Sequence, residues 1–275
     1  MGIEFLLLLT ENFDHKAGMI EQIEAEIFQG FQTKGYSKPA RLTCRRYDGQ
    51  RIDVFVKFAG GVRNHYFGLC AEMLCSVIAR HLGFSTPDPF IVNLSQEFLG
   101  GVPNEAQDMV SRSLGLNFAT ATVGSGYSVM PAEPRLPRDL SRIAAEIFAF
   151  DVLMQNFDRK RDNPNLLWNR ERIVLIDHES ALSPVLQWPD FGFAHFDLDN
   201  FYDHVFYSEI SPTDANFQRL ALTLQTMAPP VLDEFFALIP PVWRDEKALL
   251  KIRNHLRFLV DNRLQVCEII YDRIS

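Results

Sequence analysis

Cysteine is scarce in this sequence, and nothing in the spacing pairs it. The 275 residues hold four, Cys44, Cys70, Cys75 and Cys267, with no CxxC motif. That speaks against a zinc ribbon and a disulfide framework, and makes reduced thiols in a cytoplasmic setting the expectation. Long apolar runs are missing too. Phe5-Leu6-Leu7-Leu8-Leu9 is far short of the roughly 20 residues of a membrane span. Glu4 precedes it and no basic region does, so a secretory signal is not expected; the run reads as a buried strand or core packing, and no membrane association is expected. There is no surplus of positive charge: 27 Lys and Arg against 35 Asp and Glu leave −8 at neutral pH. This argues against direct nucleic-acid binding. Neither a Walker A loop nor GxGxxG occurs, nor any internal repeat or low-complexity tract.

What is present is apolar bulk. Hydrophobic residues make up 47% of the chain, enough for one large domain or two lobes with a sizeable core. Apolar spacing predicts a helix over 13–29, where Ile20, Ile23, Ile27 and Phe28 are interleaved with glutamates, although helix and strand are hard to separate there. Two strands, Arg41 to Cys44 and Asp53 to Phe58, flank the turn Tyr47-Asp48-Gly49-Gln50. A helix from Tyr66 to Leu82 ends at Gly83. A strand follows over 89–94, then a loop with a short helix over 95–117. Residues 124–131 read as a strand entering a linker marked by Pro131, Pro134 and Pro137. A helix capped by Ser141 runs to Gln155, and helices cover 214–227, 229–239 and 245–274.

The chemistry concentrates between Phe150 and Leu182. A polar loop holds Asn156, Asp158, Arg159, Asp162, Asn163 and Asn165. After a hairpin, the strand Ile173-Val174-Leu175-Ile176 delivers Asp177 to its carboxyl end. Ligand sites favour that position because a buried strand holds the emerging side chain rigidly. An acid in a loop, an amide five residues later and a second acid after a hairpin are parts that phosphoryl transfer uses. Asp158 can orient a hydroxyl, and the amide oxygen and Asp177 can hold Mg²⁺ against phosphates. Upstream, Lys57 lies inside an apolar strand and calls for a partner. Glu72, on a helix face with Cys75, Ser76 and Ala79, is placed to supply it; the plainer alternatives are a lysine on a wet strand face and a surface glutamate. Gly60-Gly61 reads as a mobile rim. Gly35, Ser37 and Lys38, within the turn-rich stretch 30–39, can wrap phosphates through backbone N–H groups or form an ordinary surface turn. Backbone groups near Tyr127, Val129 and Met130 stand where a kinase hinge meets adenine. His195, Asp197, Asp199, Asp203 and His204 suggest a metal cluster, but their spacing fits no tetrahedral rule and a decorated loop is the stronger reading.

Together these residues resemble the HipA-like kinases, relatives of the phosphoinositide-kinase-type fold. The likeness rests on Asn156-Phe157-Asp158-Arg159, Asn163-Pro164-Asn165-Leu166-Leu167 and Ile176-Asp177-His178-Glu179. It extends to Val56-Lys57-Phe58, Ala71-Glu72 and Gly35-Tyr36-Ser37-Lys38-Pro39. The resemblance implies an α+β, two-lobed protein-kinase-like fold: an N-terminal antiparallel sheet lobe with one main helix (1–130), which binds nucleotide, and a mostly helical C-terminal lobe (131–275) with the catalytic loop and metal site. It implies ATP and Mg²⁺, with Lys57 on the phosphates, Glu72 orienting it, Asp158 as catalytic aspartate, and Asp177 with Asn163 or Asn165 as metal ligands. It further implies a serine/threonine protein substrate and an antitoxin-like partner. Two departures stand out. Arg159-Lys160-Arg161 occupies the place where many relatives carry a histidine two residues after the aspartate; the run reads as phosphate-contacting or solvated. His178 stands where many kinases have Phe, so DFG-type switching is not implied. A small-molecule kinase and a nucleotide-binding pseudokinase are the alternative functions. Retention of Lys57, Asp158 and Asp177 counts against the pseudokinase.

Overall fold

The computed structural model describes residues 20–32, 37–188, 191–196, 198–211, 213 and 215–274. The apolar run 5–9, Gly35 of the candidate phosphate loop, and Asp197 lie outside these residues. Five strands close into a barrel in the order β1-β2-β3-β5-β4: β1 (Glu21–Phe31), β2 (Ala40–Arg45), β3 (Arg51–Lys57), β4 (Pro89–Leu94) and β5 (Gly115–Ala121). The sheet is therefore not wholly antiparallel, because β1 and β4 pair in parallel.

The helix expected over 13–29 is strand β1 in its described part. Two register irregularities, between Ala25 and Ile27 and between Phe28 and Gly30, interrupt its strand alternation. Each shifts the alternation, so the residues packed on the barrel interior fall at 23, 25, 28 and 31. Two of these three intervals span three residues, as in a helix, whereas Ile27 of the expected helical stripe is 48% exposed. The interleaved glutamates face other strands: Glu26 pairs with Arg45 at 2.8 Å and Arg51 at 2.7 Å, and Glu21 with Arg46 at 2.6 Å. Such exposed pairs stabilise by at most about 1 kcal/mol each, and they favour the observed register. Ile23, Leu42, Cys44, Val54, Val56, Phe90, Val92 and Ala119 fill the barrel, and Phe98 and Val110 from α2 (Gln96–Gly101) and α3 (Asn104–Ser111) join them.

The outer face of β4 and β5 is covered by α1 (Tyr66–His81), whose Leu69, Met73 and Leu74 share a core with Ile91 and Phe118. The helix ends as its sequence indicates. Gly83, at φ +85°, donates to Arg80 O at 3.0 Å, and Phe84 donates to Ala79 O at 2.9 Å. This is the Schellman arrangement that a left-handed glycine permits. Gly60 packs closely against the loop after α3: a Cβ there would lie 2.8 Å from Arg112 Cβ, and its N–H donates to Ser113 Oγ at 3.0 Å.

The same core runs through the helical half. Helix α4 (Arg138–Leu153) is buried at every position from Ala144 to Leu153, as befits a central helix, with Glu146 and Asp151 the charged residues among them. It starts three residues before Ser141, directly after Pro137, whose carbonyl receives Leu140 N–H. A second sheet, β6 (Ser128–Val129), β7 (Leu166–Trp168) and β8 (Ile173–Leu175), shares this core through Leu166, Trp168, Ile173 and Leu175. Helices α5 (Gln218–Thr226), α6 (Pro229–Ala237), α7 (Glu246–Asp261) and α8 (Arg263–Ile274) follow. The long helix expected over 245–274 is interrupted at Asn262, which leaves helical geometry at φ −110° and ψ 18° while its backbone N–H and side-chain amide both donate to Phe258 O, at 3.0 and 2.9 Å. Asp245 caps α7, accepting from Lys247 and Ala248 N–H. Among the described residues, no helix is long and apolar enough to cross a membrane.

Candidate active site

Lys57 is the last residue of β3. Val54 and Val56 point into the barrel, so strand alternation turns Lys57 to the opposite face, beneath α1. Covered there, its side chain keeps 10% exposure and meets three carboxylates: Glu72 at 2.9 Å, Glu179 at 3.2 Å, and Asp177 in a short contact. Glu72 sits near the middle of α1 and is 3% exposed. Its Oε2 also accepts the backbone N–H of His178 at 2.6 Å. One glutamate thus ties β3, α1 and the segment after β8 together.

Asp177 follows β8 in a left-handed conformation, φ 58°, which aspartate tolerates better than most residues. There the chain turns away from the strand. His178 is buried against Phe150, while Asp177 and Glu179 both reach Lys57.

The loop 156–165 is built around Arg159, which is fully buried. Its Nε donates to Asp151 at 2.5 Å, and its Nη1 to the carbonyls of Asn165, Pro164 and Ile176. The guanidinium therefore joins α4, the loop and the end of β8, immediately beside Asp158 and Asp177. Asp151 also accepts from Asn156 at 2.8 Å and from His204 Nε2 at 3.0 Å. Phe206 N–H donates to His204 Nδ1, which fixes the neutral tautomer with the proton on Nε2. The first cation of the Arg159-Lys160-Arg161 run is thus neither solvated nor available to a phosphate. His204 belongs to this network rather than to a metal cluster, and His195 packs on Trp188 and Phe191. No group of three or more His, Cys, Asp or Glu able to hold a metal occurs among the described residues.

Asp158 is partly buried. Asn163 Nδ2 lies 3.5 Å from its Oδ2, and Asn165 Nδ2 lies 3.4 Å from its backbone oxygen. Asn163 is exposed, whereas Asn165 is buried at φ 51° with its carbonyl engaged by Arg159 and by Ile176 N–H. Burial, reinforced by repulsion from Asp177, raises the Asp158 carboxyl above the ordinary range, while Arg63 and Lys160 oppose the rise. Burial pushes Glu72 up to about 7 against the pull of Lys57. Burial alone would lower the Lys57 ammonium, but Asp177, Glu72 and Glu179 outweigh it and hold it charged. The same ammonium keeps Asp177 below its usual value despite burial.

Other expected residues are placed less directly. Ser37 is buried with its carbonyl against Gly61, and Lys38 is exposed at φ 44°. Tyr127 is half-buried and Val129 exposed on β6, and Met130 N–H donates to Leu166 O at 2.9 Å. Sequence reasoning assigned no role to Asp151 or Glu179. The logic applied to Lys57 applies equally to Asp151, a lone acid within Phe148-Ala149-Phe150-Asp151-Val152-Leu153.

A family model described as HipA-like kinase matches residues 25–268. The chain belongs to the HipA-like kinase family and is, by class, a phosphotransferase. Among solved structures, the Helicobacter pylori proinflammatory kinase CtkA is similar over 93% of this chain and 97% of its own, at 14% identity and a TM-score of 0.49. The Golgi casein kinase is similar over 90% of this chain and 74% of its own, at 12% identity and a TM-score of 0.46. Its complex with Mn and ADP gives 90% and 73%, 12% identity and a TM-score of 0.47. No curated protein matches the sequence.

Proposed function

We propose that this protein is an ATP-dependent, Mg²⁺-requiring kinase that phosphorylates serine or threonine hydroxyls of a protein. The observation that carries this reading is the burial of Lys57 against Glu72 and Asp177, with the Asp158 loop stapled to the same strand end. The cluster sets one ammonium against three carboxylates, and a buried surplus of negative charge suits a further cation. Asp177 and the Asn163 amide supply the oxygen donors such a cation takes, and the exposed amide of Asn163 favours it over Asn165. Mg²⁺, when bound, neutralises charge on the β- and γ-phosphates.

In this reading the lobe before residue 131 holds the nucleotide. Lys57 contacts the phosphates and is held in place by Glu72. The stretch at Gly35, Ser37 and Lys38 covers the phosphates, and Tyr127 and Val129 border the adenine. Asp158 accepts a hydrogen bond from the acceptor hydroxyl and aims it in line with the γ-phosphorus, where positioning provides most of the catalysis. The free, buried Cys44, Cys70, Cys75 and Cys267 suit a reducing cytoplasm.

The test is incubation with γ-labelled ATP and Mg²⁺, with and without a cell extract, followed by mass spectrometry. Phosphoserine or phosphothreonine that disappears with Asp158→Asn is the expected result. Label found only on a small hydroxyl compound would replace protein by small-molecule phosphorylation, and nucleotide binding with no label anywhere would leave a pseudokinase.

A further inference from the structure

Glu179 is more than the Lys57–Glu72 pair requires. Its carboxylate is 6% exposed, and its hydrogen-bond partner among the described residues is Lys57 alone, at 3.2 Å. Lys57 already has Glu72 at 2.9 Å and Asp177 in closer contact. A third carboxylate, buried and tied to no backbone group, adds desolvation cost that a structural ion pair does not need. The three acids also differ in access. Glu72 is 3% exposed with Oε2 shared by His178 N–H, whereas Asp177 is 27% exposed. Asp177 can turn to a cation in the cleft; Glu72 and Glu179 cannot without leaving the interior.

We propose that Glu179 is a positioning residue that retains the Lys57 ammonium, together with Glu72, when Asp177 releases it to ligate a divalent cation. As the structure stands, Lys57 holds Oδ1 of the carboxylate that the metal needs. A divalent cation on Asp177 competes with Lys57 for that carboxylate, and where it draws Asp177 away Glu179 keeps Lys57 doubly paired and in place for the phosphates. This rests on the kinase reading above and deepens it.

The test measures binding of ADP and a non-hydrolysable ATP analogue by calorimetry, in Mg²⁺ and in EDTA, for the parent, Glu179→Gln and Glu179→Asp, with thermal unfolding as the check on folding. In Glu179→Gln, Mg²⁺-dependent affinity falls on the order of tenfold, as for partners in one charge network, and half-saturation needs more Mg²⁺; binding in EDTA changes little. Glu179→Asp keeps the charge but shortens its reach, and shifts the Mg²⁺ requirement the same way by a smaller factor. It carries the test if Glu179→Gln does not fold. Parental Mg²⁺ dependence in the folded variants, or an equal loss with and without Mg²⁺, overturns the inference. A parent that binds no nucleotide in either medium overturns the kinase reading as well.

Discussion

Lys57 Nζ and Glu72 Oε2 lie 2.9 Å apart, buried between the end of β3 and the middle of α1. The pair stands in a cluster that needs its cation. Lys57→Met removes one charge and leaves Glu72, Asp177 and Glu179 facing one another without it. Stability should fall by roughly 3 kcal/mol, the range for breaking a buried pair from one side, and phosphoryl transfer should be lost. Urea denaturation at pH 7 checks the first. A variant as stable as the parent would show that the carboxylates separate or protonate without cost.

Asp158→Asn and Asp177→Asn should fail differently. Asp158→Asn retains Mg²⁺–ATP affinity and loses transfer by about a thousandfold or more, the pattern of an interaction made mainly in the transition state. Asp177→Asn loses the Mg²⁺ dependence of binding itself. Asn163→Ala should follow Asp177→Asn, and Asn165→Ala should chiefly destabilise the loop. Equal nucleotide affinities in Mg²⁺ for the parent and Asp177→Asn would count against a metal role.

Arg159→Met should destabilise by about 3–5 kcal/mol, because Asp151 remains buried with its strongest partner gone. Arg159→Lys should recover only part of this, since one ammonium cannot reach Asp151 and three carbonyls together. Chemical denaturation of the three proteins decides. A Lys variant equal to the parent would mean that charge alone, not the fork, holds the loop.

Stability should also fall on mild acidification. His255 is fully buried and donates from Nε2 to Leu153 O at 2.7 Å, with its unpartnered Nδ1 beside Phe191. Burial depresses its pKa from 6.5 to about 4. The unfolded chain takes up a proton that the folded one refuses, so this contribution is intact above pH 6.5 and is lost progressively down to about pH 4. His204 acts in the same direction, through burial. His255→Gln, which keeps a donor for Leu153, should flatten the dependence of the denaturation midpoint between these pH values. An unchanged slope would assign the effect to other groups.

The sequence by itself determined most of the helical half and the identity of the chemical groups. The Gly83 stop, the helix start at Asp245 and the hairpin leading to Asp177 are local features: their signals lie within a few residues of the structure they specify, so they can be read in one dimension. The family, too, was legible from the ordered motifs around Lys57, Glu72, Asp158 and Asp177. Barrel closure was not. Two irregularities in β1 disguised its period, and a parallel pairing with β4, nearly 70 residues away, leaves no local trace. Nor could spacing show that Arg159 turns inward. In sequence it opens a basic run, and only the packing of α4 beneath the loop puts Asp151, with three backbone carbonyls, where a guanidinium can bind them all. The arrangement of three carboxylates around one lysine was decided at the same level. Charge and burial are properties of neighbours in space, and β3, α1 and the end of β8 become neighbours only when the chain has folded.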